Sequence, residues 1–230
     1  MVIVEIMGRH AGWLAGAAGL ASWAGSGPDL VYLPEVDFDM DKFLADVKRI
    51  YEANGNCLVA VSEGIHYADG TFVSEAKTSA TDGFGHAQLG GLAATLTDIV
   101  KKKTGAKVRG IELSLLQRCG AHLASETDIE ESYMSGKAAV ENAVAGITDK
   151  MVGFEREYVD GKYVCKTKLL GLTDVANTEN KVPMAWINEE HNGVTQEFID
   201  YALPLIQGEP KLPKQDSLPR FAKLKKVLAK

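Results

Sequence analysis

The stretch VEIMGRHAGWLA, residues 4–15, decides how the rest of the chain reads. It completes the run MVIVEI, apolar except for Glu5, the pattern of a strand buried on both faces. The run breaks into Met7-Gly8-Arg9-His10-Ala11-Gly12 and passes directly into the small-residue helix pattern WLAGAAGLASWA, stopped by Gly25 and Gly27-Pro28. Buried strand, glycine-bearing turn and helix in direct succession open a parallel βα unit. In open parallel sheets ligands bind beyond the carboxyl ends of the strands, so the turn is also a candidate binding element. Gly8 lets backbone approach a ligand, and a helix starting near His10 presents N–H groups and the positive end of its dipole. Arg9 offers a planar fork suited to phosphate.

Working outward, strand and helix patterns keep alternating. DLVYLPE (29–35) is a strand, and 40–53 is a helix with Phe43, Leu44, Val47 and Ile50 on one stripe and Gly55 beyond its end. CLVAVS (57–62) is a strand closed by Glu63-Gly64. A loop with Asp69-Gly70 and a polar, Gly-rich stretch to Gly91 lead into a helix over 92–103, ended by Gly105. VRGIELSLLQR (108–118) reads as one long strand. Thr127-Asp128-Ile129-Glu130 is a capping box opening a helix to Ala145, a hairpin turns at Asp160-Gly161, and a last helix covers 196–206. The expected architecture is α/β, three-layer αβα, with a mostly parallel sheet plus one β-hairpin.

Composition narrows the class. The chain has 230 residues, 46% of them hydrophobic, and a net charge of −6, enough for one large or two small domains. The acidic balance argues against nonspecific nucleic-acid binding. No apolar stretch reaches the roughly 18–20 residues of a membrane span, and MVIVEIM has neither a basic n-region nor a cleavage site. Three dispersed cysteines, Cys57, Cys119 and Cys165, imply neither a disulfide framework nor a zinc site and fit a reducing cytoplasm. The tail departs from this balance: residues 211–230 carry seven Lys/Arg against Asp216, with Phe221, Leu224, Val227 and Leu228 on one helical face. The expectation is a terminal helix docked on its own protein.

Three expected strand ends carry polar groups: Met7-Gly8-Arg9, Glu63, and Gln117-Arg118. Arginines for phosphate and a carboxylate for hydroxyls suggest a phosphorylated polyol. Arg109 stands apart. Nine residues before Arg118 in one continuous strand, it would lie about 30 Å away at about 3.3 Å per residue. It is either a structural surface charge or an arginine presented to a neighbouring subunit. Asp82 and His86 have an i, i+4 spacing, but with no third ligand they read as a hydrogen-bonded loop, so no metal site is assigned. Cys119 and His122 read as packing residues.

VEIMGRHAGWLA, AVSEG, DGFGHAQLGG and RGIELSLLQRCGAH, in this order, together with TDIEES, DKMVGFER and YALPLIQGE, resemble the C-terminal part of 6-phosphofructokinases. The version is similar to the pyrophosphate-dependent enzymes more than to the ATP-dependent bacterial ones. Asp82, Phe84, Gly85, His86 and Gln88 match a segment typical of the pyrophosphate type. The resemblance implies a fructose 6-phosphate site in which Met7, Gly8 and Arg9 hold the sugar phosphate, Glu63 binds the sugar, Arg118 binds the 6-phosphate and Gln117 lies beside it. It implies that Arg109 crosses from another subunit, hence a homo-oligomer, at least a dimer. Where the family has His or Tyr, this sequence has Leu115, so a hydrogen-bonding group is missing there.

The family's Gly-rich donor loop, Gly-Gly-Asp element and Thr-Ile-Asp-Asn-Asp-like run, which supplies the base aspartate, have no counterpart here. The resemblance therefore implies an acceptor half-site with no catalytic residue of its own and no turnover alone. The donor, pyrophosphate or ATP, and the Mg²⁺ cofactor would be held largely by the absent half. Residues 1–118 are expected to form the fructose 6-phosphate-binding domain, and 119–230 helices and a hairpin packing on the missing domain. The parent reaction would be a glycolytic phosphotransfer. The alternatives are an ATP-dependent phosphofructokinase, a non-catalytic sugar-phosphate-binding regulatory subunit, or a nucleotide-binding α/β domain; the last lacks both G-x-G-x-x-G and a Walker lysine.

Overall fold

The structure is a computed structural model that describes residues 1–74 and 91–228. The chain forms two compact units: residues 1–118 with 172–204, and residues 119–171 with 205–230. Residues 172–204, which carry the short helix α7 (Leu172–Val175) and are grouped with the C-terminal part in the sequence reading, lie in the first unit.

The first unit is built on a four-stranded parallel sheet in the order β2-β3-β1-β4: β1 (Val2–Ile6), β2 (Leu30–Tyr32), β3 (Leu58–Ser62) and β4 (Arg109–Glu112). Strand alternation sorts the apolar residues into two cores. Ile3, Leu30, Tyr32, Val59 and Val61 face α3 (Met40–Asn54) and α4 (Leu92–Thr104), which contribute Phe43, Val47, Leu92, Leu96 and Val100. Ile6, Val31, Leu33 and Ala60 face α1 (Trp13–Ala17), α2 (Gly19–Trp23) and α8 (Gln196–Ala202) through Ala15, Leu20, Phe198 and Ile199. This is the expected layered α/β arrangement. Helix α3 is capped at one end by Asp39, whose carboxylate accepts the N–H groups of Asp41 and Lys42, and at the other by left-handed Gly55.

The second unit holds α6 (Glu126–Val144) and the antiparallel hairpin of β5 (Lys150–Val159) and β6 (Lys162–Gly171). Its turn residues Asp160 and Gly161 both have positive φ, as a two-residue hairpin turn requires. Tyr163 donates to Glu131 across the hairpin and helix at 2.7 Å, and the Arg156 guanidinium lies 4.7 Å from the Tyr163 ring centre. No described residue of this unit is buried.

Several expectations are corrected. The stretch 108–118 is not one strand: β4 stops at Glu112, Ser114 takes φ +44°, and 116–119 form the short helix α5 (Leu116–Cys119). The separation of about 30 Å inferred for Arg109 and Arg118 from extended geometry thus loses its premise. The first helix pattern is two five-residue helices, broken at Ala18, and α1 begins at Trp13 rather than near His10. Strand β2 covers three residues of the expected seven. The cap of α6 is Ser125, accepting the Asp128 N–H at 3.1 Å, two residues before the expected capping box. The tail forms no helix over 221–228, where Phe221, Leu224, Val227 and Leu228 are all exposed. An amphipathic pattern without a surface to cover it gains nothing by folding. Cys119 and His122 are exposed, not packed.

Candidate functional site at the carboxyl rim of the sheet

The turn after β1 is fixed from several sides. The Met7 N–H donates to Gln117 Oε1 at 2.8 Å, and the Gly8 N–H to Glu63 Oε1 at 3.1 Å. Ser62 Oγ donates to the Gly8 carbonyl. Gly8 has φ +142°, a conformation that favours glycine, and a Cβ there would stand 2.7 Å from the Ala11 carbonyl oxygen. Beneath the next residue, Gly64 approaches so closely that a Cβ would stand 1.7 Å from the Arg9 carbonyl oxygen. Adjacent parallel strands set this up: Ile6 pairs with Ser62, so both chains leave the sheet together and the Glu63 N–H donates to the Ile6 carbonyl at 2.8 Å.

The structure thus brings together Met7, Gly8, Arg9, Glu63 and Gln117. Arg118 follows Gln117 on α5 and is exposed, so the helix tied to Met7 by Gln117 also carries this arginine. Leu115 is 68% exposed and presents no polar group. Arg109 is not brought to the turn. It opens β4 paired with Val2, at the amino end of the sheet, whereas Met7 and Gly8 follow the carboxyl end of β1. Asp82, Phe84, Gly85, His86 and Gln88 lie outside the described residues.

A cleft of about 80 Å³ beside the turn is lined by Glu5, Met7, Glu63, Glu112 and Ser114. Glu5, 3% exposed, accepts the Ala93 N–H at 2.8 Å and so caps α4, whose own N-cap residue is Gly91. Burial raises its carboxyl above the usual range, the Ala93 hydrogen bond opposes this, and Glu112 and Glu63 push it further up. Sequence reasoning passed over Glu5 as a site residue. A lone acid in an otherwise apolar, doubly buried strand is the signal that marks it. Ser62, which holds the turn through the Gly8 carbonyl, carried no such mark. The chemical capacity of the rim is one arginine in the turn and another on α5, side chains suited to an anion, with the second oxygen of Glu63 available to a hydroxyl. Among the described residues no group of three or more His, Cys, Asp or Glu side chains is arranged to hold a metal ion.

A family model described as phosphofructokinase matches residues 1–143. The chain belongs to the phosphofructokinase family. Among individual relatives of this family, the chain is 42% identical to a pyrophosphate–fructose 6-phosphate 1-phosphotransferase of Halomonas elongata, over 97% of the chain and 53% of the relative. It is 45% identical to the enzyme of the same name from Xanthomonas campestris, over 98% of the chain and 54% of the relative. The crystal structure of a pyrophosphate-dependent phosphofructokinase from Marinobacter aquaeolei superposes with a TM-score of 0.83 at 38% identity, covering all of this chain and 53% of that one. The chain therefore spans about half the length of the phosphofructokinases it matches. No described helix is long and apolar enough to cross a membrane.

Proposed function

We propose that the chain supplies the sugar-phosphate half-site of a phosphotransferase that moves phosphate from pyrophosphate to the 1-hydroxyl of fructose 6-phosphate. The observation that carries this reading is the fixed Met7-Gly8-Arg9 turn beside Glu63, with Arg118 on the adjoining helix. Arg9 and Arg118 bind the 6-phosphate, Gly8 and Glu63 the sugar. Gln117 acts through the Met7 N–H that it accepts. Arg109, at the far end of the sheet, serves a neighbouring copy, so the working form is at least a dimer. Phosphoryl transfer needs donor, base and acceptor held together; Mg²⁺, donor and base aspartate belong to residues beyond this half-site, in a cytoplasmic, glycolytic enzyme.

The second unit supports a docking role toward those residues. On α6, Ile129, Tyr133, Val140 and Val144 are exposed, and at 3.6 residues per turn they fall within about 60° of one another. Such a stripe is what a helix presents to a core.

The test is a chimera in which this chain replaces the matched part of the Xanthomonas campestris relative. Arg118→Ala removes a charge-assisted contact worth about 1.5–3 kcal/mol, so the fructose 6-phosphate KM rises at least about tenfold. An unchanged KM would refute the assignment.

A further inference from the structure

Glu35 lies just beyond β2, at the carboxyl rim, and none of the roles above uses it. Its Oε1 accepts two backbone N–H groups from distant parts of the chain: Gly12 at 2.8 Å and Val182 at 2.9 Å. Its Oε2 is sealed from solvent and has no partner among the described residues. That second oxygen is pressed toward the turn, since a Cβ on Gly12 would stand 2.7 Å from it. A second bond reinforces the same junction, the Trp13 indole N–H donating to the Asn180 carbonyl at 2.6 Å. Gly12 closes the segment that begins at Met7. Gln117, Glu63 and Ser62 hold its near end; Glu35 holds its far end.

We infer that Glu35 is a positioning residue for the sugar-phosphate site. By binding the Gly12 and Val182 N–H groups with one carboxylate oxygen, it fixes the far end of the turn that presents Gly8 and Arg9. The inference rests on the function proposed above. It predicts which kinetic constant moves. A misplaced phosphate-binding turn weakens substrate and transition state alike, raising KM with kcat little changed. A merely structural glutamate would lower the amount of folded enzyme and leave the KM of the survivors alone.

Two measurements test this. In the 230-residue chain, hydrogen exchange at the Gly12 and Val182 amides accelerates at least about tenfold in Glu35→Ala. Unchanged protection overturns the inference whatever the function. In the chimera, Glu35→Ala raises the fructose 6-phosphate KM about three- to tenfold at a kcat, per folded site, within about twofold. Glu35→Gln, which keeps an acceptor oxygen in place, recovers most of that loss. If Glu35→Ala does not fold, Glu35→Asp, which withdraws the oxygen by one methylene, carries the same expectation. A wild-type KM in the folded variant, beside a raised KM in Arg118→Ala, overturns the role of Glu35 alone. An unchanged KM in Arg118→Ala overturns the site reading instead.

Discussion

Replacing Gly64 by alanine isolates the contact between the two strand ends that build the site. The added Cβ would stand 1.7 Å from the Arg9 carbonyl oxygen, 2.4 Å from its carbonyl carbon and 2.6 Å from its Cα. All three are backbone atoms, so no side-chain rotation relieves the overlap. Ordinary contact begins near 3.4 Å, so one of the two segments must move by about 1.7 Å, a displacement far beyond what a packed interior absorbs freely. Both segments are pinned: Gly8 by Glu63 and Ser62, and Gly64 by the strand that precedes it. Overpacking of this kind costs about 1–3 kcal/mol, and backbone-to-backbone overlap belongs at the upper end. For a unit of this size each kcal/mol lowers Tm by about 2–4 °C, which gives a loss of about 5–10 °C. Thermal and urea denaturation of the chain measure it, and amide chemical shifts should change most at Gly8, Arg9 and Glu63. A Gly64→Ala chain that unfolds within about 0.5 kcal/mol of the parent, with those shifts unmoved, would refute the reasoning.

Three further outcomes are expected. The chain alone should show no turnover of fructose 6-phosphate with pyrophosphate or ATP in a coupled assay; steady turnover would overturn the half-site reading. Because burial holds the Glu5 carboxyl above its ordinary value of 4.5, with the Ala93 hydrogen bond opposing and Glu112 and Glu63 assisting, the folded chain retains this proton where the unfolded chain has lost it. The contribution is fully present below pH 4.5 and fades as pH rises through the raised folded value. Glu5→Gln should therefore flatten the stability profile in that window, and urea midpoints that stay parallel for both proteins would contradict this. Finally, chimeric subunits carrying Arg109→Ala and subunits carrying Arg118→Ala should complement each other when co-expressed, because in a mixed dimer one site receives both defects and the other neither. Verified hybrids no more active than either parent would return Arg109 to a surface role.

Much of the fold was legible because independent signals coincided. Over 40–53 an apolar stripe and a glycine beyond its end both marked helix, and at Asp160-Gly161 the residues that tolerate positive φ sat between two β-rich runs. The site was legible in part because Gly8-Arg9 and Glu63-Gly64 end apolar strands. What escaped was decided by tertiary context. Leu113 to Leu116 is a short apolar run whose spacing fits strand and helix equally, and only Ser114 in the left-handed region turns the chain. Ser125 and Thr127 both precede an acid by three residues, so sequence does not rank them as caps. Glu35 has no signature at all: its partners are backbone N–H groups at Gly12 and Val182, and backbone donors look alike in every sequence.

Among the described residues, the buried apolar side chains all belong to residues 3–65, 92–100 and 182–202, so the two units answer differently to a trace of protease. Cleavage follows transient opening, and opening is costly only where a core must be broken. The 119–171 segment, held by hairpin and helix hydrogen bonds over half-covered side chains, would be nicked early, and the sheet with α8 would survive as a nicked but associated remnant. The order in which bands vanish from a gel would then trace the same division as the architecture, with the carboxyl rim of the sheet on the side that lasts.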